Sequence, residues 1–92
     1  MQSKSLANLL RILSTPRRVE ILRFLLEAEA PVMSKNVASF MALDDNSASF
    51  NLMALAKVGL VLRTPSGPYV FYSPNRILIR EVFEYFNIKE QV

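Results

Sequence analysis

The hydrophobic period changes twice along this chain, and that double switch limits the folds open to it. Up to Gly59 the apolar residues recur at helical spacing. From Leu60 they gather in two short β-branched or aromatic runs, Leu60–Thr64 and Tyr69–Ser73, on either side of Pro65-Ser66-Gly67-Pro68. Helical spacing then returns at Ile79, Val82, Phe83 and Phe86. Side chains realign about every 3.6 residues on a helix and about every 2 on a strand. The chain therefore reads as helices, one hairpin and a last helix, and the prolines flanking the turn favour an isolated ribbon over a strand inside a larger sheet.

Local signals divide the helical part. Leu6, Leu9, Leu10 and Leu13 fall at i, i+3, i+4 and i+7, which predicts an amphipathic helix over 3–14. Thr15 can cap a second helix over 16–28, and Pro16 suits its first position because the missing N–H would have had no partner there. Val19, Ile21, Leu22, Leu25 and Leu26 cover much of that helix, so it should be central. Ala30-Pro31-Val32 reads as a short extended link. Ser34 can cap a short third helix over 34–41 that buries Val37, Ala38 and Met41. A tight connection, Ala42-Leu43-Asp44-Asp45, leads into a fourth helix over 45–58, with either Asp as its cap. There Ala48, Leu52 and Leu55 point one way, and Gly59 stands where a left-handed C-terminal cap belongs. The last helix is expected over 76–87.

Composition narrows the chemistry. The 92 residues contain no cysteine and no histidine, which removes thiolate metal sites, disulfides and Ser-His-Asp or Cys-His catalysis. No catalytic constellation is left, so the chain reads as a binding protein and not an enzyme, with no cofactor. Eleven Lys and Arg against eight Asp and Glu give +3, a mild basic excess that suits nucleic acid. A mean hydropathy of +0.22 is high for a small soluble domain and points to a subunit interface. A 10.5 kDa chain should expose about 5,400 Å² folded against about 15,000 Å² unfolded, enough for one domain spanning 1–92. The longest charge-free stretch, Thr64–Asn75, holds three prolines and is no membrane span. Residues 1–19 carry Lys4, Arg11, Arg17 and Arg18 without an acid, a composition shared by transit peptides and by an ordinary first helix.

The order helix, helix, short helix, tight turn, helix, hairpin, helix is that of a winged helix-turn-helix: mainly α, about five helices plus one wing. Leu13-Ser14-Thr15-Pro16-Arg17-Arg18-Val19-Glu20-Ile21-Leu22 resembles the opening of ArsR/SmtB-type repressors. Val37-Ala38, then Leu43, Ser49, Leu52, Leu55 and Lys57-Val58-Gly59-Leu60-Val61, is similar to that family's helix-turn-helix, and Arg63, Gly67, Val70, Phe71 and Tyr72 to its wing. The resemblance runs over about residues 6–86. It implies dimerisation helices at 1–14 and 76–88, a helix-turn-helix at 34–58 and a wing at 60–73. It further implies a cytoplasmic, nucleoid-associated homodimer that represses transcription on a palindromic stretch of double-stranded DNA. Met33 and Lys35 stand where the family's metal sensors carry a Cys-x-Cys pair, so those metal sites are absent.

Residue roles follow from that reading. Asn46, Ser47, Ser49, Phe50 and Asn51 are the expected base contacts, since amides and hydroxyls can bond base edges and Phe50 can touch a thymine methyl. The alternative is small polar residues on an exposed helix. Arg17, Arg18, Lys35, Lys57 and Arg63 are candidates for phosphate, with Ser66 and Gly67 at the wing tip. For Arg17 and Arg18 the plainer reading is a solvated face or pairing with Glu20 or Glu29. Leu6, Leu9, Leu10, Leu13, Ile79, Val82, Phe83 and Phe86 are the expected dimer interface, shared with the core. The expected recognition helix is acidic at its start and has Lys57 as its only base, which keeps a protein-docking winged helix open as the alternative. No effector is indicated.

Overall fold

Local capping chemistry sets most of the boundaries seen in the computed structural model, which describes residues 1–87. The elements are α1 (Ser3–Leu13), α2 (Pro16–Glu27), α3 (Ser34–Met41), α4 (Asp45–Lys57), β1 (Val61–Ser66), β2 (Tyr69–Pro74) and α5 (Arg76–Tyr85). Thr15 Oγ1 accepts from the Arg18 N–H at 3.2 Å, with Pro16 opening α2 as expected. Asp44, not Asp45, caps α4: its carboxylate accepts from the Ser47 N–H at 2.7 Å. Asn75 does the same for α5 through the Leu78 N–H. Ser34 is no cap. It is the first residue of α3, and the Asn36 side chain instead accepts from the Met33 N–H.

Gly59 ends α4 at φ +85°, with its N–H on the Ala56 carbonyl and the Leu60 N–H on Leu55. That paired pattern satisfies two orphan carbonyls and requires a left-handed residue. It turns the chain into the hairpin. The hairpin is two residues tighter than the prolines suggested: Pro65 pairs with Val70 and Ser66 with Tyr69, so only Gly67 and Pro68 form the turn. Gly67 supplies φ +59° at the first turn position, where a two-residue hairpin needs it. The expected extended link contributes a bridge. Val32 and Tyr72 exchange N–H···O bonds of 2.9 and 2.7 Å, which anchors the ribbon to the α2–α3 connection.

The core lies where α2, α3, α4 and the base of the hairpin meet. Ile21, Leu25, Val37, Leu52, Leu55, Leu60 and Val61 are fully buried there, and Tyr72 closes it from β2. α1 packs on α4, so the basic N-terminal segment is a helix of the fold. Leu6 and Leu9, expected at a subunit interface, are each 3% exposed and are used inside the subunit. Leu10 is exposed and Leu13 half-buried. On α5, Ile79 and Val82 lean on the core, whereas Phe83 and Phe86 face outward. Residue 88, the end of the expected segment 76–88, lies outside the described residues. Among the described residues no helix is long and apolar enough to cross a membrane.

Candidate nucleic-acid interface

The turn between α3 and α4 fixes how α4 is presented. Ala42 adopts φ +54°, and the Leu43 N–H reaches back to the Ala38 carbonyl at 2.9 Å. This left-handed step lets α4 leave at an angle to α3 while Ala48, Leu52 and Leu55 are driven fully into the core. The opposite side of α4 then stands free. Asn46 is exposed, Ser47 and Ser49 are half-buried, and Phe50 is 67% exposed. Met53, one turn after Ser49, is exposed as well.

Two expected site residues are turned inward. Asn51 is only 8% exposed. Its side-chain oxygen accepts from Arg18 Nε at 3.1 Å, and its amide donates to the Ser47 carbonyl at 2.8 Å. With both ends engaged and the group buried, Asn51 cannot present an amide to a base edge. The sequence held a signal for this. Asn51 lies three residues after Ala48 and four before Leu55, inside the apolar stripe and not opposite it. Arg18 also donates from its terminal nitrogen to the Ile12 carbonyl at 3.0 Å. It ties the end of α1 to α4 across α2, instead of pointing a free guanidinium at phosphate.

The remaining cations are disposed outward. Arg17, Lys35, Lys57 and Arg63 are all exposed. The ion pairs among the described residues both belong to Arg23, with Glu20 at 3.7 Å and Glu27 at 3.1 Å, so none of these four cations is paired with a carboxylate among the described residues. A groove of about 380 Å³ runs between α4 and the hairpin and brings together Ser34, Lys35, Ser49, Met53, Arg63 and Tyr69. Lys57 lies elsewhere, in a second groove beside α1. Ser66 and Gly67 occupy the exposed hairpin tip; a Cβ on Gly67 would meet nothing within 4 Å, so only the turn's φ calls for glycine. Phe71 is half-buried and Tyr72 buried, whereas Tyr69 is exposed beside the groove.

The acidic start of α4 is electrostatically quieter than its composition suggests. The Ser47 N–H and hydroxyl, then the Asn46 N–H and last the positive charge of Arg17, hold the Asp44 carboxyl below the usual carboxylate range. That charge is spent on the helix N-terminus, where an anion is favourable.

Comparison with known proteins places this arrangement. The family model described as FaeA-like protein matches residues 17–68, which takes in α2 through β1 and the hairpin turn. No curated protein matches the sequence. Solved winged-helix structures superpose on nearly the whole chain. One is the homodimeric winged helix-turn-helix DNA-binding domain of a possible ArsR-family transcriptional regulator from Mycobacterium bovis. It has a TM-score of 0.71 at 24% identity and covers 97% of this chain and 87% of its own. An ArsR-like transcriptional regulator from Rhodococcus gives 0.76 at 23% identity, over 89% and 76%. HlyU from Vibrio cholerae, in its reduced form, gives 0.70 at 22% identity, over 94% and 93%. The fold is thus a winged helix-turn-helix, with α3–α4 as the helix-turn-helix and β1–β2 as the wing.

Proposed function

The chain belongs to the FaeA-like protein family, and from that premise we propose that it is a sequence-specific DNA-binding transcriptional regulator, repressor-like, acting as a homodimer on an inverted repeat. One observation carries this reading. The outward side of α4, with Asn46, Ser47, Ser49 and Phe50, stands beside a hairpin-side groove holding two exposed cations, Lys35 and Arg63, that have no ion pair among the described residues. A helix of that width enters a major groove about 12 Å across. Lys35, Arg63 and Arg17 then meet phosphates, and Ser66–Gly67 reaches the backbone or the neighbouring minor groove. Asn51 and Arg18 support α4 from behind and contact no base.

Self-association is supported by surface left over. Phe83 and Phe86 on α5 and Leu10 on α1 are among the exposed apolar residues. The Mycobacterium bovis neighbour is described as homodimeric. In a two-fold dimer the two copies of α4 would read half-sites about one helical turn apart.

A mobility-shift titration over the chain's own upstream DNA at several salt concentrations tests the reading. Three cations per subunit, six per dimer, predict a log–log salt slope of about −5. Arg63→Ala should flatten that slope by about 2 and weaken all sequences alike, while Asn46→Ala should weaken the specific site more than random DNA. A folded dimer without salt-sensitive, sequence-selective binding refutes the proposal. A second reading, protein docking through α4, is favoured by Phe50 and Met53 and by Lys57 being the only base on that helix. It requires that Phe50→Asp abolish partner capture while dimerisation and fold persist.

A further inference from the structure

A groove of about 590 Å³ lies between α1 and α4 and shares Met53 with the groove beside the hairpin. Its apolar lining includes Ile12, Phe50 and Met53, and its charged lining is Arg11, Arg18 and Lys57, with no acid. The two arginines are held in place by neutral partners only. Arg11 donates to the Asn8 side chain at 2.5 Å, and Arg18 to the Ile12 carbonyl and the Asn51 side chain. Neither they nor Lys57 take part in an ion pair among the described residues. Phe50 and Met53, 67% and 54% exposed, leave apolar surface in water beside them.

An inorganic phosphate would answer the charges and leave Phe50 and Met53 wet. A neutral hydrocarbon would cover the apolar side and leave three cations uncompensated. We propose that this groove binds a monoanionic amphiphile, an acyl or aryl carboxylate, with its apolar body on Phe50, Met53 and Ile12 and its carboxylate on Arg11 and Lys57, while Arg18 stays on Asn51 and the Ile12 carbonyl and adds its charge to the groove wall. The volume falls in the range of small-molecule sites, about 300–1,000 Å³, and methionine adapts its shape to irregular ligands. Phe50 also belongs to the outward side of α4, so a bound carboxylate and duplex DNA exclude each other; this consequence, unlike the site itself, rests on the DNA-binding reading.

Calorimetric titration of the full chain with decanoate below its micelle concentration tests the site, with acetate and decyltrimethylammonium as controls. The expected result is saturable binding of decanoate, one per chain, and none of either control. Arg11→Glu combined with Lys57→Glu should weaken it by about tenfold or more, and Phe50→Ala by about threefold. Phe40→Ala, an exposed aromatic on α3, should leave it unchanged. Lys57→Gln gives a milder check should the double reversal perturb folding. No saturable binding up to about 1 mM, equal binding of the cationic amphiphile, or indifference to Lys57→Gln and Phe50→Ala would overturn the proposal. Decanoate should also loosen a preformed complex with duplex DNA. Saturable decanoate binding by a chain that forms no such complex would uphold the site and sink the DNA reading instead.

Discussion

The two terminal helices carry the same pattern and use it differently. In α1, Leu6, Leu9, Leu10 and Leu13 repeat the spacing of Ile79, Val82, Phe83 and Phe86 in and just after α5. α1 sinks Leu6 and Leu9 into the subunit, while α5 has no buried residue at all and leaves Phe83 73% exposed. Neighbours make the difference. α1 lies against α4 and is latched by Arg18 at the Ile12 carbonyl. α5 leans on the core through Leu78, Ile79 and Val82, and its start is held by Arg76 on the Leu26 carbonyl. An amphipathic stripe declares that a face will be covered. It does not say whether the cover is the same chain or another copy.

The sharpest way to break this contrast is to truncate one stripe at a time. Leu9→Ala should cost about 3 kcal/mol of folding stability, seen as a lower urea midpoint, because a fully buried leucine leaves a cavity. Phe83→Asp should barely change the helical circular dichroism, yet raise the dimer dissociation constant about a hundredfold, close to 2.7 kcal/mol, by sedimentation equilibrium. If Phe83→Asp instead unfolds the subunit and leaves its mass in solution unchanged, α5 belongs to the core and the contrast fails.

Smaller effects test what latches α1. Arg18→Ala and Asn51→Ala should each destabilise by about 1–2 kcal/mol, since the first strands the buried Asn51 amide and the second the half-buried Arg18 guanidinium. A double-mutant cycle should show them coupled, with the pair costing less than the sum. Additive losses would mean the Arg18–Asn51 contact does not bear on α4. Smallest of all is the link between the two terminal helices, Ser3 Oγ to Tyr85 Oη at 2.5 Å, which is exposed. Tyr85→Phe should shift thermal stability by no more than about 0.5 kcal/mol.

Most of the fold was legible because its signals are local. Thr15-Pro16 and Gly59 act within one turn of where they stand, and the helix ends they set fall within a residue or two of expectation. The hairpin was legible in kind but not in length, because Pro65 and Ser66 look like turn residues and are held in the ladder by Val70 and Tyr69 opposite. The candidate site was legible in part. Phe50 and Asn46 stand outward as their spacing from Ala48 and Leu52 required. Asn51 was misread because its polarity argued for water while its register argued for the interior, and register prevailed once Arg18 supplied a partner.

Which elements form, in what order and with which caps can be read from the residues alone, because those outcomes depend on neighbours within about four positions of one another. It took the packed molecule to show that Arg18 and Asn51, 33 residues apart, face each other, that α1 spends its stripe inside, and that α5 keeps its aromatics in water. A long side chain finds its partner, and a helix its cover, among groups brought near by the packing of several elements at once, and no local spacing encodes that meeting.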